Sequence, residues 1–283
     1  MSEQITKKQH YVPQFYLKRF AETDNFIQYL DIRNMRLGKN PYPAVCYEEY
    51  YYAQTTGEQD QISQKYEEYF KLLESRIANE MEETCSIIRD VNRHVTDKER
   101  DVISYLMSMI YLRGKYMRSQ IQHVMGEVGN KMVEVIKTRR EPTEEEKKMY
   151  LESDNTLHLL MLKDIHDIRT WFFIKKWKAY ISRGQYSFIT TDNPVSEIFP
   201  QRTSLYGAHI CERTHYLAIA PDILIELTKP MGNRKIKRES ILPSNERKIL
   251  GLNLICAKQA EQYVYSKSKG ELDAIMSNVT TTH

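Results

Sequence analysis

The sequence predicts an α+β fold in which β-rich terminal segments enclose a helical middle. Residues 9–53 and 186–283 contain short runs rich in β-branched and aromatic residues, whereas residues 59–182 place apolar residues at helical three- and four-residue steps. Strands and helices that are segregated along a chain favour an α+β body. We therefore expect one domain over residues 1–283, with a mostly antiparallel sheet formed by the terminal segments and a helical bundle inserted between its halves.

The N-terminal segment predicts a short helix followed by strands. A turn and a helix are expected over residues 9–21, opened by Pro13, whose missing N–H would be unpaired in a first helical turn anyway. Residues 26–32 alternate in part between apolar and polar side chains, which predicts a strand. Residues 34–40 then form a hairpin connection, and a second extended stretch is expected over residues 44–53.

The middle of the chain predicts helices. One is expected over residues 59–90, because apolar side chains follow helical spacing at Ile62, Tyr66, Tyr69, Phe70, Leu73, Ile77 and Met81. Thr96-Asp97-Lys98-Glu99 has the form of a capping box and opens the next helix. Helical character continues to about residue 138, with interruptions expected at Gly126 and Gly129.

The rest of the chain predicts one more helix of the bundle and then strands. The helix is expected near residues 156–181, after a charged connection at residues 139–146. Strands are expected over residues 186–191, 215–220, 223–228 and 262–266, and helices over residues 244–260 and 271–278.

Composition and charge limit the function classes. The formal net charge of +3 over 283 residues is too small to identify a nucleic-acid-binding protein by itself. Twenty tyrosines against eight phenylalanines suit base stacking or protein contact, with compositional drift of the host as the alternative. Motifs for ATP hydrolysis, dinucleotide binding and serine-hydrolase chemistry do not occur.

The cysteines and the N-terminus predict a cytoplasmic protein. Four cysteines lie far apart without a Cys-x-x-Cys pair, which argues against a zinc ribbon and against a disulfide framework. His209, Cys211 and His215 lie close together but lack a second matching cluster, so zinc is not expected. Residues 1–8 lack the apolar core of a signal peptide. No run approaches the roughly 20 apolar residues that span a bilayer, so no membrane partner is expected.

His10 is the leading catalytic candidate. It begins a His-x-x-Pro motif, and a histidine held by a turn can act as general base, general acid or metal ligand. Asp192 follows a predicted strand end and could bind a metal or orient His10, while Gln14 and Asn193 are expected to contact substrate. The alternatives are a structural histidine bonded to a backbone carbonyl, and an Asx-turn at Asp192-Asn193-Pro194.

Two helix carboxylates complete a possible metal site. Glu67 and Glu74 lie two turns apart on one face of the predicted helix. Together with His10 and Asp192 they would form a hard-ligand set suited to Mg²⁺ or Mn²⁺, and Arg113 would stabilise developing phosphate charge. The alternative is a solvated helix face with ion pairs to neighbouring lysines and arginines.

The stretch from Lys229 to Arg238 is the clearest cationic patch. It is expected as a loop between a strand and a helix, where Arg234, Lys235, Lys237 and Arg238 could track a phosphate backbone. The alternative is a solvated loop without a partner.

Three segments carry a resemblance to a known family. They are His10-Tyr11-Val12-Pro13-Gln14-Phe15-Tyr16-Leu17, Thr191-Asp192-Asn193-Pro194-Val195, and Asn253 with the later Tyr263-Val264-Tyr265-Ser266. In this order they resemble a bacterial and phage family known as domain of unknown function 4238, noted for its N-terminal His-x-x-Pro motif. The resemblance implies a compact single-domain protein and no assigned activity. The family's Arg, matched by Arg113, is expected often to precede Thr-Pro, whereas Gly114-Lys115 follow here.

Two hypotheses for the function follow from these residues. The first is a metal-dependent phosphodiester hydrolase, a nuclease with a role in phage defence or counter-defence, in which His10, Asp192, Glu74 and Arg113 are catalytic. The second is a non-catalytic module that binds nucleic acid or a partner protein through its tyrosines and basic residues. The sequence does not predict the oligomeric state.

Overall fold

The computed structural model describes residues 6–52, 54–56, 61–63, 65–146, 162–200, 210, 212–230 and 235–279. It confirms the predicted α+β fold, in which antiparallel strand pairs predominate. Three residues that the sequence singled out, His209, Cys211 and Arg234, lie outside the described residues.

One sheet joins both terminal segments of the chain. Its strands are β2 (Phe26–Asp31), β3 (Arg36–Pro41), β8 (Thr190–Thr191) and β13 (Tyr263–Ser266), which pair antiparallel in the order β3-β2-β13-β8. The register places Tyr265 opposite Tyr29, and Tyr29 opposite Gly38. A Cβ at Gly38 would lie 2.3 Å from the end of the Tyr29 ring, so a larger residue at this position would force the Tyr29 side chain to move.

A second sheet, which the sequence did not predict as a separate layer, packs beside the first. It contains β7 (Lys176–Ser182), β9 (Ser196–Ile198), β10 (Thr214–Ala220), β11 (Ile223–Thr228) and β12 (Lys237–Ile241), in the order β12-β7-β11-β10-β9. The β12–β7 pair is parallel and the others are antiparallel. Two short antiparallel pairs join β1 (Lys8–His10) to β4 (Tyr47–Glu49) and β5 (Gln54–Thr56) to β6 (Gln61–Ser63), and β6 lies where the helix was predicted to begin at residue 59.

Tyr16 connects the two sheets. Its fully buried hydroxyl donates to the carbonyl of Ala218 at 2.8 Å and contacts Thr190 Oγ1 at 2.7 Å. Because the tyrosine has only one proton, the Thr190 hydroxyl is the donor in the second bond. The short helix α1 (Gln14–Leu17), which carries Tyr16, is thus held between both sheets.

The helices of the middle segment cover the sheets. They are α2 (Lys65–Arg89), α3 (Asp97–Arg113), α4 (Lys115–Lys137) and α5 (Ile165–Ile174), followed near the C-terminus by α6 (Glu246–Ala257) and α7 (Lys269–Val279). The capping box is confirmed, since Thr96 Oγ1 accepts from the backbone N–H of Lys98 and Glu99 accepts from that of Thr96 at 2.7 Å. Most of α3 is buried, and it packs against α2, α4 and α5. The end of α3 is therefore inside the protein.

Several predicted bounds are wrong. The helix near residues 156–181 ends at Ile174, and β7 begins at Lys176 with no Gly or Pro between them to mark the boundary. The helix α4 continues through Gly126 and Gly129, and the chain breaks instead at Gly114, whose φ of −62° and ψ of 148° are extended. Only Thr190–Thr191 of the predicted strand 186–191 forms a ladder.

None of the helices in the described ranges is long and apolar enough to cross a membrane.

Candidate functional site

His10 lies at the end of a short N-terminal strand. That strand, β1 (Lys8–His10), pairs antiparallel with β4 (Tyr47–Glu49). The imidazole Nε2 donates to the carbonyl of Pro43 at 3.2 Å, so Nδ1 is the acceptor for the Gln14 amide at 3.2 Å. Burial lowers the pKa of His10, although the bond to Pro43 acts in the opposite direction. The ring is therefore neutral at pH 7, and Gln14 contacts His10 itself.

Arg113 is buried at the end of α3, and we call Arg113 with its bonding partners Tyr52, Glu74 and the His10 carbonyl the hub. Its Nε donates to the Tyr52 hydroxyl at 2.8 Å, and its two terminal nitrogens donate to the Glu74 carboxylate and to the backbone carbonyl of His10. The guanidinium also lies 4.4 Å from the centre of the Phe70 ring. These contacts hold the main chain at His10, which is a positioning role.

Glu67 lies beside this hub. Its Oε2 is buried without a hydrogen-bond partner, and its Oε1 is 3.9 Å from Lys71 Nζ. Burial raises the pKa of Glu67, whereas the charge of Arg113 lowers it. The structure thus brings Glu74 and Arg113 close to His10, and Glu67 close to Arg113.

Asp192 organises the backbone that leads into β13. Its buried carboxylate accepts hydrogen bonds from the backbone N–H groups of Glu261 (2.8 Å), Gln262 (2.8 Å) and Tyr263 (2.9 Å). Burial raises the pKa of Asp192 to about 6, against the effect of these three bonds. Asn193 adds a bond from Nδ2 to the carbonyl of Gln259 at 3.0 Å. Both side chains therefore hold the loop that leads into β13.

The predicted metal ligands do not meet at one point. Within the described ranges, no three His, Cys, Asp or Glu side chains form a group that could hold a metal ion. Glu74 is paired with Arg113, and the carboxylate of Asp192 already accepts three N–H bonds. Binding of Mg²⁺ or Mn²⁺ by His10, Glu67, Glu74 and Asp192 stays a prediction.

The cationic patch is partly a strand. Lys237 and Arg238 belong to β12, which corrects the predicted loop at its C-terminal end. The guanidinium of Arg238 donates to the carbonyls of Asp90 and Arg93 and fixes the end of α2. Lys235 and Lys237 are exposed.

Tyrosines from the first and last motif segments line one cavity. Tyr11 comes from the His-x-x-Pro motif, and Tyr263 and Tyr265 come from β13. Tyr29 and Tyr47 line the same cavity. The volume is about 330 Å³. We call this cavity the tyrosine pocket, lined by Tyr11, Tyr29, Tyr47, Tyr263 and Tyr265 with Cys46 and Lys115 among its other residues.

The floor and the walls of the tyrosine pocket differ in exposure. Tyr11, Cys46 and Tyr265 are buried, whereas Tyr29, Tyr47 and Tyr263 are half-buried. The Cys46 thiol lies 3.6 Å from the Tyr265 hydroxyl, and burial raises the pKa of Cys46 to about 12. Cys46 is therefore a neutral thiol, unsuited as a nucleophile at pH 7. Its φ of 55° is a left-handed conformation that is uncommon outside glycine.

A comparison with protein families identifies the family of this chain. A family model described as "Protein of unknown function (DUF4238)" matches residues 8–270. The chain belongs to this family. No curated protein and no solved structure matches the chain. The function of this DUF4238 protein must therefore be argued from its own geometry.

The second motif of this DUF4238 protein, residues 191–195, positions residues that line the tyrosine pocket. Asp192 positions Tyr263 through its backbone N–H. A Cβ on Gly114 would lie 3.8 Å from Asn193 Oδ1, so the turn before Lys115 packs against the same motif. The three motif segments thus build one site although they are far apart in sequence.

Sequence reasoning named none of the five pocket tyrosines as a site residue. Tyr11, Tyr263 and Tyr265 entered only through the family resemblance, and Tyr29, Tyr47 and Lys115 were not identified as candidates. The excess of tyrosine over phenylalanine was a signal for stacking surfaces, and the alternation Tyr263-Val264-Tyr265 places two rings on one face of a strand. Nothing in the sequence paired these with Tyr29, because that depends on strand register.

Proposed function

We propose that this DUF4238 protein binds single-stranded nucleic acid and places a base in the tyrosine pocket. The observation that carries the proposal is the clustering of five tyrosines around one cavity of about 330 Å³. This volume lies within the range of about 300–1,000 Å³ for small-molecule sites. Stacking of a base on an aromatic side chain contributes about 1–3 kcal/mol and tolerates any base.

Cations beside the tyrosine pocket suit a phosphate backbone. Lys8 Nζ lies 4.8 Å from the centre of the Tyr47 ring, and Lys115 Nζ lies 4.8 Å from that of Tyr11. A single-stranded ligand needs both features, rings for its bases and cations along its backbone. A cytoplasmic location is part of this proposal, and Cys46, Cys85 and Cys256 are free thiols as a reducing compartment requires.

The Tyr263→Ala variant tests the proposal. We expect it to weaken binding of fluorescein-labelled single-stranded RNA or DNA by about 5- to 150-fold, which corresponds to the loss of one stacking contact. Fluorescence anisotropy measures the affinity. Tyr186→Ala is the matched control, because Tyr186 is 42% exposed and lies outside the pocket. Wild-type protein that binds neither oligonucleotide, or equal loss in both variants, would contradict base stacking in the pocket.

A second hypothesis, phosphodiester hydrolysis with a role in phage defence or counter-defence, is favoured by the position of His10. The His10 ring lies 5.5 Å from that of Tyr47, which lines the pocket, and its bonding partner Pro43 precedes the lining residue Ala44. A neutral imidazole can accept a proton. The acceptor would be Nδ1, which is bonded to the exposed amide of Gln14.

The hydrolase hypothesis predicts cleavage that depends on His10. Wild-type protein should cut a labelled oligonucleotide, and His10→Ala should abolish cutting with little change in oligonucleotide affinity. His94→Ala, at an exposed histidine, serves as control. Calorimetric titration of Mn²⁺ into wild type, His10→Ala and Asp192→Ala tests the metal prediction separately. Oligonucleotides that stay intact with wild-type protein, both with and without Mn²⁺, would refute hydrolysis.

A further inference from the structure

Lys115, which lines the tyrosine pocket, shares one carboxylate with a second cation, Arg118. Lys115 Nζ lies 2.6 Å from Glu48 Oε1, and the Arg118 guanidinium lies 3.7 Å from Glu48 Oε2. Lys115 and Arg118 belong to the first turn of α4, while Glu48 lies in β4 beside the pocket residue Tyr47. The cluster of these three side chains carries one more positive than negative charge.

The geometry ties this cluster to the pocket. Lys115 lines the cavity and lies over the ring of Tyr11, and Arg118 lies 4.6 Å from the centre of the neighbouring Tyr51 ring. Tyr11 and Tyr51 are themselves in contact, with ring centres 5.8 Å apart. An anionic group attached to a base in the pocket would therefore meet both cations.

We propose that Lys115 and Arg118 form the phosphate subsite of the tyrosine pocket, and that the Glu48 carboxylate occupies this subsite until a phosphate group displaces it. This inference rests on the proposed binding of nucleic acid. A phosphate diester, like a carboxylate, shares one negative charge between two oxygens. Lysine and arginine both bind such oxygens through charge-assisted hydrogen bonds. Glu48 thus acts as an internal competitor that lowers the affinity of the pocket.

Displacement of Glu48 requires little rearrangement. Its side chain is 42% exposed, and an exposed ion pair contributes little to stability. The backbone of Glu48 stays in place because it pairs with Gln9 in the β1–β4 ladder. The carboxylate can therefore turn towards solvent while the strand that carries Tyr47 keeps its position.

The test compares Glu48→Gln with Glu49→Gln on a fluorescein-labelled single-stranded oligonucleotide. Both variants remove one negative charge, but Glu49 is exposed and neither Lys115 nor Arg118 contacts it. We expect Glu48→Gln to tighten binding by about 2- to 5-fold, the equivalent of a surface ion pair, with little change for Glu49→Gln. Lys115→Gln should weaken binding and reduce the slope of log affinity against log salt by about 0.7, the share of one phosphate contact on a single strand.

The outcomes separate this inference from the proposed function. The phosphate subsite would be overturned if Glu48→Gln and Glu49→Gln bind the oligonucleotide alike and Lys115→Gln leaves the salt slope unchanged. In that case Tyr263→Ala would still report on base stacking. Wild-type protein that binds no oligonucleotide would overturn both. A selective gain in Glu48→Gln and a smaller slope in Lys115→Gln would establish the competition between Glu48 and phosphate.

Discussion

Replacing Arg113 with alanine is expected to lower the free energy of unfolding by about 3–5 kcal/mol, the range for breaking a buried ion pair from one side. Arg113 is 1% exposed and donates to Glu74, Tyr52 and the His10 carbonyl. Alanine removes the Arg113 donor of Glu74 and of Tyr52 and one of the two donors of the His10 carbonyl, and it removes the cation–π contact with Phe70. The expected loss therefore combines unpaired polar groups with lost packing.

Chemical denaturation of matched variants measures this effect. Arg113→Lys keeps the charge, but its single ammonium lacks the fork geometry that reaches three acceptors, so we expect an intermediate loss. Arg139→Ala, at an exposed arginine, should change stability by less than about 0.5 kcal/mol. A loss below about 1 kcal/mol in Arg113→Ala would mean that the hub behaves like a surface ion pair.

The same variant tests how the His-x-x-Pro motif is held. Arg113 bonds the carbonyl of His10, and Tyr52 bonds that carbonyl as well at 3.2 Å. Hydrogen exchange at the backbone of β1 should therefore accelerate in Arg113→Ala more than exchange in β10 and β11. Such a result would separate the positioning of His10 from general loss of stability.

The sequence predicted best those elements that local patterns determine. The capping box at Thr96 and Glu99 opens α3 at the predicted residue, because its partners lie three positions apart. The strands β10 and β11 were also predicted within one residue of their bounds, since β-branched runs and the Pro221-Asp222 turn are local signals. The helix near residues 156–181 was wrong in its second half, because no Gly or Pro stands between Ile174 and the strand that begins at Lys176 to mark the boundary.

The site depended on contacts that no local pattern contains. Asp192 was interpreted as a metal ligand or as an Asx-turn, yet its three N–H donors are 69 to 71 residues away in the chain. The register of β13 against β2 decides that Tyr265 meets Tyr29. The motifs indicated where side chains would converge, whereas the tyrosine pocket arises from pairing between distant strands.

A second large effect is expected in the pH dependence of stability, and its source is His215. The imidazole is 0% exposed, and burial, together with the positive charges of Lys175 and Arg213, lowers its pKa to about 3. Rings of Phe172 and Tyr111 surround it at 5.0 and 6.1 Å. Glu197 Oε2 lies 3.6 Å from Nε2 but is itself bonded to Arg213 at 3.0 Å. His215 is therefore neutral in the folded protein over the whole physiological range.

The sign of the effect follows from proton linkage. In the unfolded chain the imidazole has its ordinary pKa of 6.5, so between pH 6.5 and pH 3 the unfolded state binds a proton that the folded state does not. The free energy of unfolding should fall as the pH falls through this window, by up to roughly 5 kcal/mol, and level off below it. Asp192 acts in the opposite direction, because its pKa is raised to about 6 and protonation favours the folded state.

His215→Phe isolates the contribution of the imidazole. Phenylalanine has a similar shape and does not titrate, so the variant should lose less stability than wild type between pH 6.5 and pH 3. Subtracting one curve of unfolding free energy against pH from the other removes the contribution of Asp192, which both proteins share. His94→Gln, at an exposed histidine, should follow the wild-type curve. Equal slopes in wild type and His215→Phe would mean that the folded protein keeps the proton on His215, as an ion pair with Glu197. The buried cluster at Glu197 would then be held together by charge rather than by exclusion of water.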